Sequence, residues 1–237
     1  MDSIVEIVKI GGFNVKDGIK RRHGVKIGAF CAVTLLLTGC VGQDPLDSLH
    51  DSLEKVADLE KPFQEEQKTL EELEKKEHAL YNDVIKLNMD DYKKIVSLSD
   101  EALENVNKRE KHLKLENESI EKSESEFEEA KTSAENIKDK HIKAKAETAA
   151  DHMKKRYDAY SSMSEEYEKA IKLDKKLYKL LKDKDLTLDK LDQQIEKANA
   201  SYKKVLKQSG EFDVQTEKYN KARKDLYDAA GYHIKKS

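Results

Sequence analysis

The sequence predicts an all-α fold, an elongated antiparallel bundle of four long helices packed by heptads, and three observations carry that expectation. Charged residues fill 39% of the 237 positions, Trp is absent, and the chain holds only 9 Gly and 2 Pro. A chain this poor in core-formers either stays disordered or folds as long helices that bury a narrow stripe. Apolar residues recur every seven positions through several segments, a phase that disorder does not keep. No glycine lies between Gly42 and Gly210, and no proline follows Pro62. Hairpins and glycine-rich phosphate loops need glycine's backbone angles, so the chain offers few places for them.

Residues 1–39 read as a leader. The apolar run Ile27–Leu37 follows Lys20, Arg21, Arg22 and Lys26, and is too short to span a bilayer. It ends in Leu37-Thr38-Gly39-Cys40, which resembles the lipobox of bacterial lipoproteins. There, diacylglycerol is added to the Cys thiol, and the chain is cut just before that Cys. Small residues at Thr38 and Gly39 let the extended chain enter the peptidase. Cys31 leaves with the leader and Cys40 takes the lipid, so no thiol remains for a disulfide, a metal or catalysis. Diacylglycerol on Cys40 supplies the two chains that stable anchoring needs, and an N-acyl group on the same residue would add a third. Residues 1–24 form an unusual extension before the basic stretch. The hypothesis is that translation starts at Val25, with Lys20-Arg21-Arg22 decoding a ribosome-binding site; an Arg codon at 21 or 22 that is neither AGG nor AGA would refute it.

Residues 40–43 are the lipidated Cys and a short tether, and residues 44–237 are the helical domain. Asp44 before Pro45 is a helix start. Leu46, Leu49, Leu53, Val56 and Leu59 mark its stripe, Pro62 kinks or restarts it, and Leu70, Leu73, Leu80, Val84 and Leu87 continue it. Asn88-Met89-Asp90 reads as a turn. The second segment carries Tyr92, Ser99, Val106, Leu113, Ile120, Phe127 and Ala134, seven apart. A break follows at Lys138-Asp139-Lys140, with a variant in which the second and third segments run on as one helix. The third segment interleaves Ala146-Met153-Tyr160-Tyr167 with Ile142-Ala149-Met163-Ala170-Leu177. After a break at Lys182–Asp185, Thr187 caps the fourth, which carries Leu191-Ala198-Val205-Phe212-Tyr219-Leu226 and Leu188-Ile195-Tyr202 and stops near Gly231. Four such segments fold back most simply as an up-down-up-down bundle. Polar residues on the stripes (Ser99, Arg156, Asp174, Ser209) thin the seam and predict modest stability.

Charge is partitioned. Residues 44–137 hold 14 Lys/Arg against 27 Asp/Glu, and residues 138–237 hold 25 against 18. Packed antiparallel, the acidic half attracts the basic half and disfavours wrong registers.

With these residues in view, the sequence resembles the YkyA-type family of Gram-positive lipoproteins, described as cell-wall-binding. The resemblance rests on the lipobox together with Leu59-Glu60-Lys61-Pro62-Phe63, Glu72-Leu73-Glu74-Lys75-Lys76-Glu77, Arg156-Tyr157-Asp158-Ala159-Tyr160, Asp185-Leu186-Thr187-Leu188 and Tyr219-Asn220. It implies a lipid-anchored protein on the extracellular face of the cell membrane, in contact with the wall, and it carries over no catalytic or binding residues.

The residues themselves point away from an enzyme. His50, His78, His112, His141, His152 and His233 form no metalloprotease spacing, no Ser sits in a nucleophile elbow, and no cofactor motif is present. A wall-contact face is expected on the third segment. There Lys154, Lys155, Tyr157, Lys172, Lys176, Tyr178 and Lys179 combine rings that stack on sugars with ammonium groups that pair with teichoic acid phosphates or peptidoglycan carboxyls. Against it stands the ordinary reading of such a face as solvated charge or core. Net charge over residues 40–237, 39 Lys/Arg against 45 Asp/Glu, argues against a general polyanion binder and against nucleic acid. The alternative function is a structural or adaptor partner of a membrane-protein complex, docking through a helical face.

Overall fold

The computed structural model describes residues 44–232, and among them the secondary structure is helical throughout. Five α-helices follow in order: α1 Pro45–Leu59, α2 Lys61–Val84, α3 Tyr92–Glu135, α4 Lys140–Leu180 and α5 Leu188–Ala230, with a short 3-10 turn Met89–Asp91 before α3. The expected four segments are present, the first interrupted at Glu60. The leader and the lipobox residues Leu37, Thr38, Gly39 and Cys40 lie outside the described residues.

The ends follow from local chemistry. Asp44 Oδ1 accepts from the Leu46 N–H at 3.0 Å, with Pro45 at the first helical position, where its missing N–H costs nothing. Pro62 restarts the helix, because its ring denies the helical bond back to the preceding turn. The loose ends are taken by α3: Ser119 Oγ donates to the Leu59 carbonyl at 2.6 Å and accepts from the Phe63 N–H at 3.2 Å. Asn88 Oδ1 caps the short turn through the Asp90 N–H at 2.7 Å. Asp139 Oδ1 accepts from His141 and Ile142 at 2.8 and 3.0 Å, so the second and third segments are separate helices and not one. Gly231 ends α5 at φ 80, a conformation that costs a residue with a side chain and not glycine.

The described chain forms two compact units, residues 65–115 with 162–209, and residues 44–64 with 116–161 and 210–232. Each holds a piece of all four segments. In the first, Asn105 on α3 reaches the Leu73 carbonyl of α2, and Gln194 on α5 reaches the Leu173 carbonyl of α4. Lys182, just past the end of α4, and Lys175 of α4 meet Asp100 and Glu110 of α3. His112 with Glu66 and Glu101 with Lys76 also join α3 to α2, and Ser201 of α5 reaches the Glu166 carbonyl of α4. Along each pair of helices these numbers rise on one as they fall on the other, the mark of antiparallel neighbours. Such pairs also join the acidic half to the basic half, as the charge pattern predicts. The second unit repeats the arrangement: Lys55 meets Glu126, and Tyr227 meets Glu54.

Most heptad positions are the core, whereas Tyr92, Ile142, Tyr202 and Val205 are half-buried and Leu188, at the start of α5, is exposed. Ser99, Val106, Leu113, Ile120, Phe127 and Ala134 are all buried, as are Met153, Tyr160 and Tyr167 on α4 and Leu191, Ala198, Phe212, Tyr219 and Leu226 on α5. A second series on α3 is buried as well: Ala102, Arg109, Glu116, Ser123 and Ala130, continued by Ile137 just past its end.

Candidate functional site

Two arginines sit in the core, one in each unit. Arg109 on α3 has a side chain 2% exposed. Its guanidinium donates to Glu77 on α2, to Asp174 Oδ2 on α4 at 3.1 Å, to the Tyr167 hydroxyl at 3.2 Å and to the Tyr202 hydroxyl on α5 at 2.7 Å. One side chain thus ties all four segments. Tyr202 in turn donates to Asp174, and Tyr167 to Glu74. In the other unit, Arg156 on α4 grips Glu60 with both forks, at 2.6 and 2.8 Å, and donates to Thr216 on α5 at 3.0 Å. Ser123 on α3 completes the set, donating to Glu60 at 2.9 Å and sharing a 2.7 Å bond with the Tyr157 hydroxyl.

The first centre is electrostatically unbalanced. A single guanidinium faces two carboxyl groups, so ionising both would bury one negative charge too many. Burial pushes Glu77 up to about 8, against the pull of Arg109, and it raises Asp174 as well. Asp174 Oδ1 has no hydrogen-bond partner among the described residues. Burial works against the charge on Arg109 also, but Glu77, Tyr167, Tyr202 and Asp174 around it hold its pKa well above the ordinary value. Shifts of this kind often mark an active site. Here each group is engaged by a neighbouring helix, so the titration bears on folding. The polar stripe residues Arg156 and Asp174 thus bond across helices, Asp174 through Oδ2 alone, and this ties the seam as well as thinning it.

The expected wall-contact residues divide. Tyr157 is 3% exposed and Tyr178 is 1% exposed, so both rings belong to the core and are withdrawn from any stacking role. The physical reason is the apolar stripe itself: each ring follows a heptad residue by four or one positions and turns inward with it. Lys154, Lys155, Lys172, Lys176 and Lys179 are exposed. Lys154 and Lys155 pair along the helix with Asp158 and Asp151 at 2.8 and 2.6 Å. Lys172, Lys176 and Lys179 enter no ion pair among the described residues. Lys175 bonds to Glu110 at 2.9 Å, and that bond, with Lys114 and Lys172 nearby, holds the Glu110 carboxyl below its ordinary range.

Arg109, Glu77, Glu60 and Ser119 escape a reading of the sequence. The signal for Arg109 was present: it stands seven residues after buried Ala102 and seven before Glu116. Polar members hid the series.

Among the described residues no helix is long and apolar enough to cross a membrane. Residues 44–229 match a family, YkyA, described as "Putative cell-wall binding lipoprotein". A Bacillus subtilis (strain 168) protein named "Uncharacterized lipoprotein YkyA" is 72% identical over 223 residues, 94% of this chain and 100% of that one. The fold is similar to a crystal structure of a conserved protein of unknown function from Staphylococcus aureus, with TM-score 0.68 and 23% identity over 81% of this chain and 97% of that one. At that identity the likeness speaks for the fold alone.

Proposed function

The chain belongs to the YkyA family of lipoproteins, and from that premise we propose that it is anchored by lipid on Cys40 to the extracellular face of the membrane and contacts the cell wall without catalysing a reaction. The observation that carries this reading is where the accessible chemistry lies. The buried carboxylates and arginines described above are engaged between helices, and every exposed position of α4 beyond Glu166 is a lysine. A surface of that kind holds a partner and transforms nothing.

The test is a pull-down of the chain from residue 44 onward with purified sacculi, set beside a charge-matched helical control. Retention above the control supports wall contact. Retention no better than the control, with specific crosslinks to a membrane protein, would move the reading to an adaptor role. The anchor is tested separately. Cys40→Ala abolishes incorporation of labelled palmitate and leaves the helical circular dichroism unchanged; continued labelling would refute Cys40 as the lipid site.

A further inference from the structure

On α4, every exposed position between Glu166 and Lys182 is a lysine: Lys169, Lys172, Lys176 and Lys179. They stand three and four residues apart, so they line one outward stripe. Lys169 is neutralised by Glu166 at 2.9 Å, while the other three are not paired among the described residues. Like charges at these spacings repel by a few tenths of a kcal/mol per pair. The first half of the same helix avoids that cost, since Lys154 and Lys155 each have an acidic partner one turn away. The stripe extends toward α3, where Lys114 and Lys172 both act on Glu110.

What surrounds the stripe narrows its ligand. Among the described residues no Tyr or Phe is exposed, and the protein has no Trp. The half-buried Tyr92 at the end of the stripe is held by its hydroxyl to the Lys182 carbonyl with Lys184 over its ring, so no fully open ring lies along the stripe for a sugar to stack on. Arg109 and Arg156 are buried and Arg223 is half-buried, so among the described residues no fully exposed guanidinium fork is present to clasp a carboxylate. What remains is a row of ammonium point charges, which suits phosphate repeated along a flexible chain. Net charge does not oppose this locally. The unit carrying the stripe holds 22 Lys/Arg and 22 Asp/Glu, whereas the unit that begins at Asp44, nearest in sequence to the anchor, holds 15 and 23. The expectation that acidity excludes polyanions therefore applies to the second unit.

Building on the wall-contact reading, we propose that Lys172, Lys176 and Lys179 bind the phosphodiester repeats of an anionic cell-wall polymer, and that the glycan strands are not the ligand. Three charge contacts imply a binding constant that falls about 10–20-fold between about 50 and 200 mM salt, by release of condensed counterions.

The experiment uses the full chain, in detergent, with sacculi that carry their phosphate polymer and with the same sacculi stripped of it. Wild type binds the phosphate-bearing sacculi at least about tenfold more tightly, with that salt dependence. The triple variant K172E/K176E/K179E loses the difference. The control K197E/K203E/K207E, which changes the same net charge at exposed positions on α5, keeps it. Circular dichroism verifies that both variants are folded. Equal binding to stripped sacculi, or wild-type binding by the stripe variant, overturns this inference and leaves wall contact standing. Loss of binding in the α5 control as large as in the stripe variant also overturns it, since net charge alone would then account for the effect. No binding to either kind of sacculus overturns both readings.

Discussion

Replacing Arg109 by Met tests the buried centre most directly. The side chain is 2% exposed and donates to groups on the three other segments. Met keeps much of the volume and removes the charge, which leaves Glu77 and Asp174, with side chains 7% and 1% exposed, facing each other without a cation. Breaking a buried pair in this way costs about 3–5 kcal/mol. For a chain of this size that lowers the midpoint of thermal unfolding by about 6–20 °C, read by circular dichroism at 222 nm. The loss is smaller at pH 5 than at pH 8, because the orphaned carboxyls can take up protons. The triple variant R109M/E77L/D174L removes the acids along with the base and recovers most of the loss, since a packed apolar cluster of similar volume replaces buried ion pairs at little or no cost. A shift below about 2 °C for R109M, under 1 kcal/mol at this size, would refute the placement of a needed charge in the core.

Four further outcomes follow from the same geometry. Glu77 is raised from 4.5 to about 8, so the folded state holds more of its proton than the unfolded state between those values. Its contribution is full below pH 4.5, is lost as pH rises through about 8, and E77Q flattens that slope in urea titrations across the window. Arg156→Lys gives up the two-pronged grip on Glu60 and costs about 2–3 kcal/mol by chemical denaturation; an unchanged midpoint would contradict the geometry. Ser119→Ala leaves the Leu59 carbonyl and Phe63 N–H unsatisfied at the break and costs about 1–3 kcal/mol, with faster amide exchange at Phe63. Tyr157→Phe removes the hydroxyl shared with Ser123, lowers stability by about 1 kcal/mol and leaves retention on sacculi unchanged; weaker retention would mean that this ring reaches the ligand after all.

Much of this architecture is legible in the amino-acid order, because it is local. Asp44-Pro45, Asn88, Asp139 and Gly231 end or begin helices through bonds to residues a few positions away, and a seven-residue apolar phase needs no knowledge of the partner helix. The α-helical class, the four segments and the buried stripe positions follow from that alone. The long-range pairs do not. Glu77 and Arg109 lie 32 residues apart, and Glu60 and Arg156 lie 96 apart. In a chain with 93 charged residues no pair stands out by type. Which arginine turns inward is decided by the packing of four segments around it, since a charge enters the core only where several helices bring acceptors to it. The same cause separates Tyr157 and Tyr178 from the lysines beside them. On the linear chain they read as one Tyr/Lys face, whereas in the fold the helical turn sends the rings into the core and leaves the ammonium groups in water.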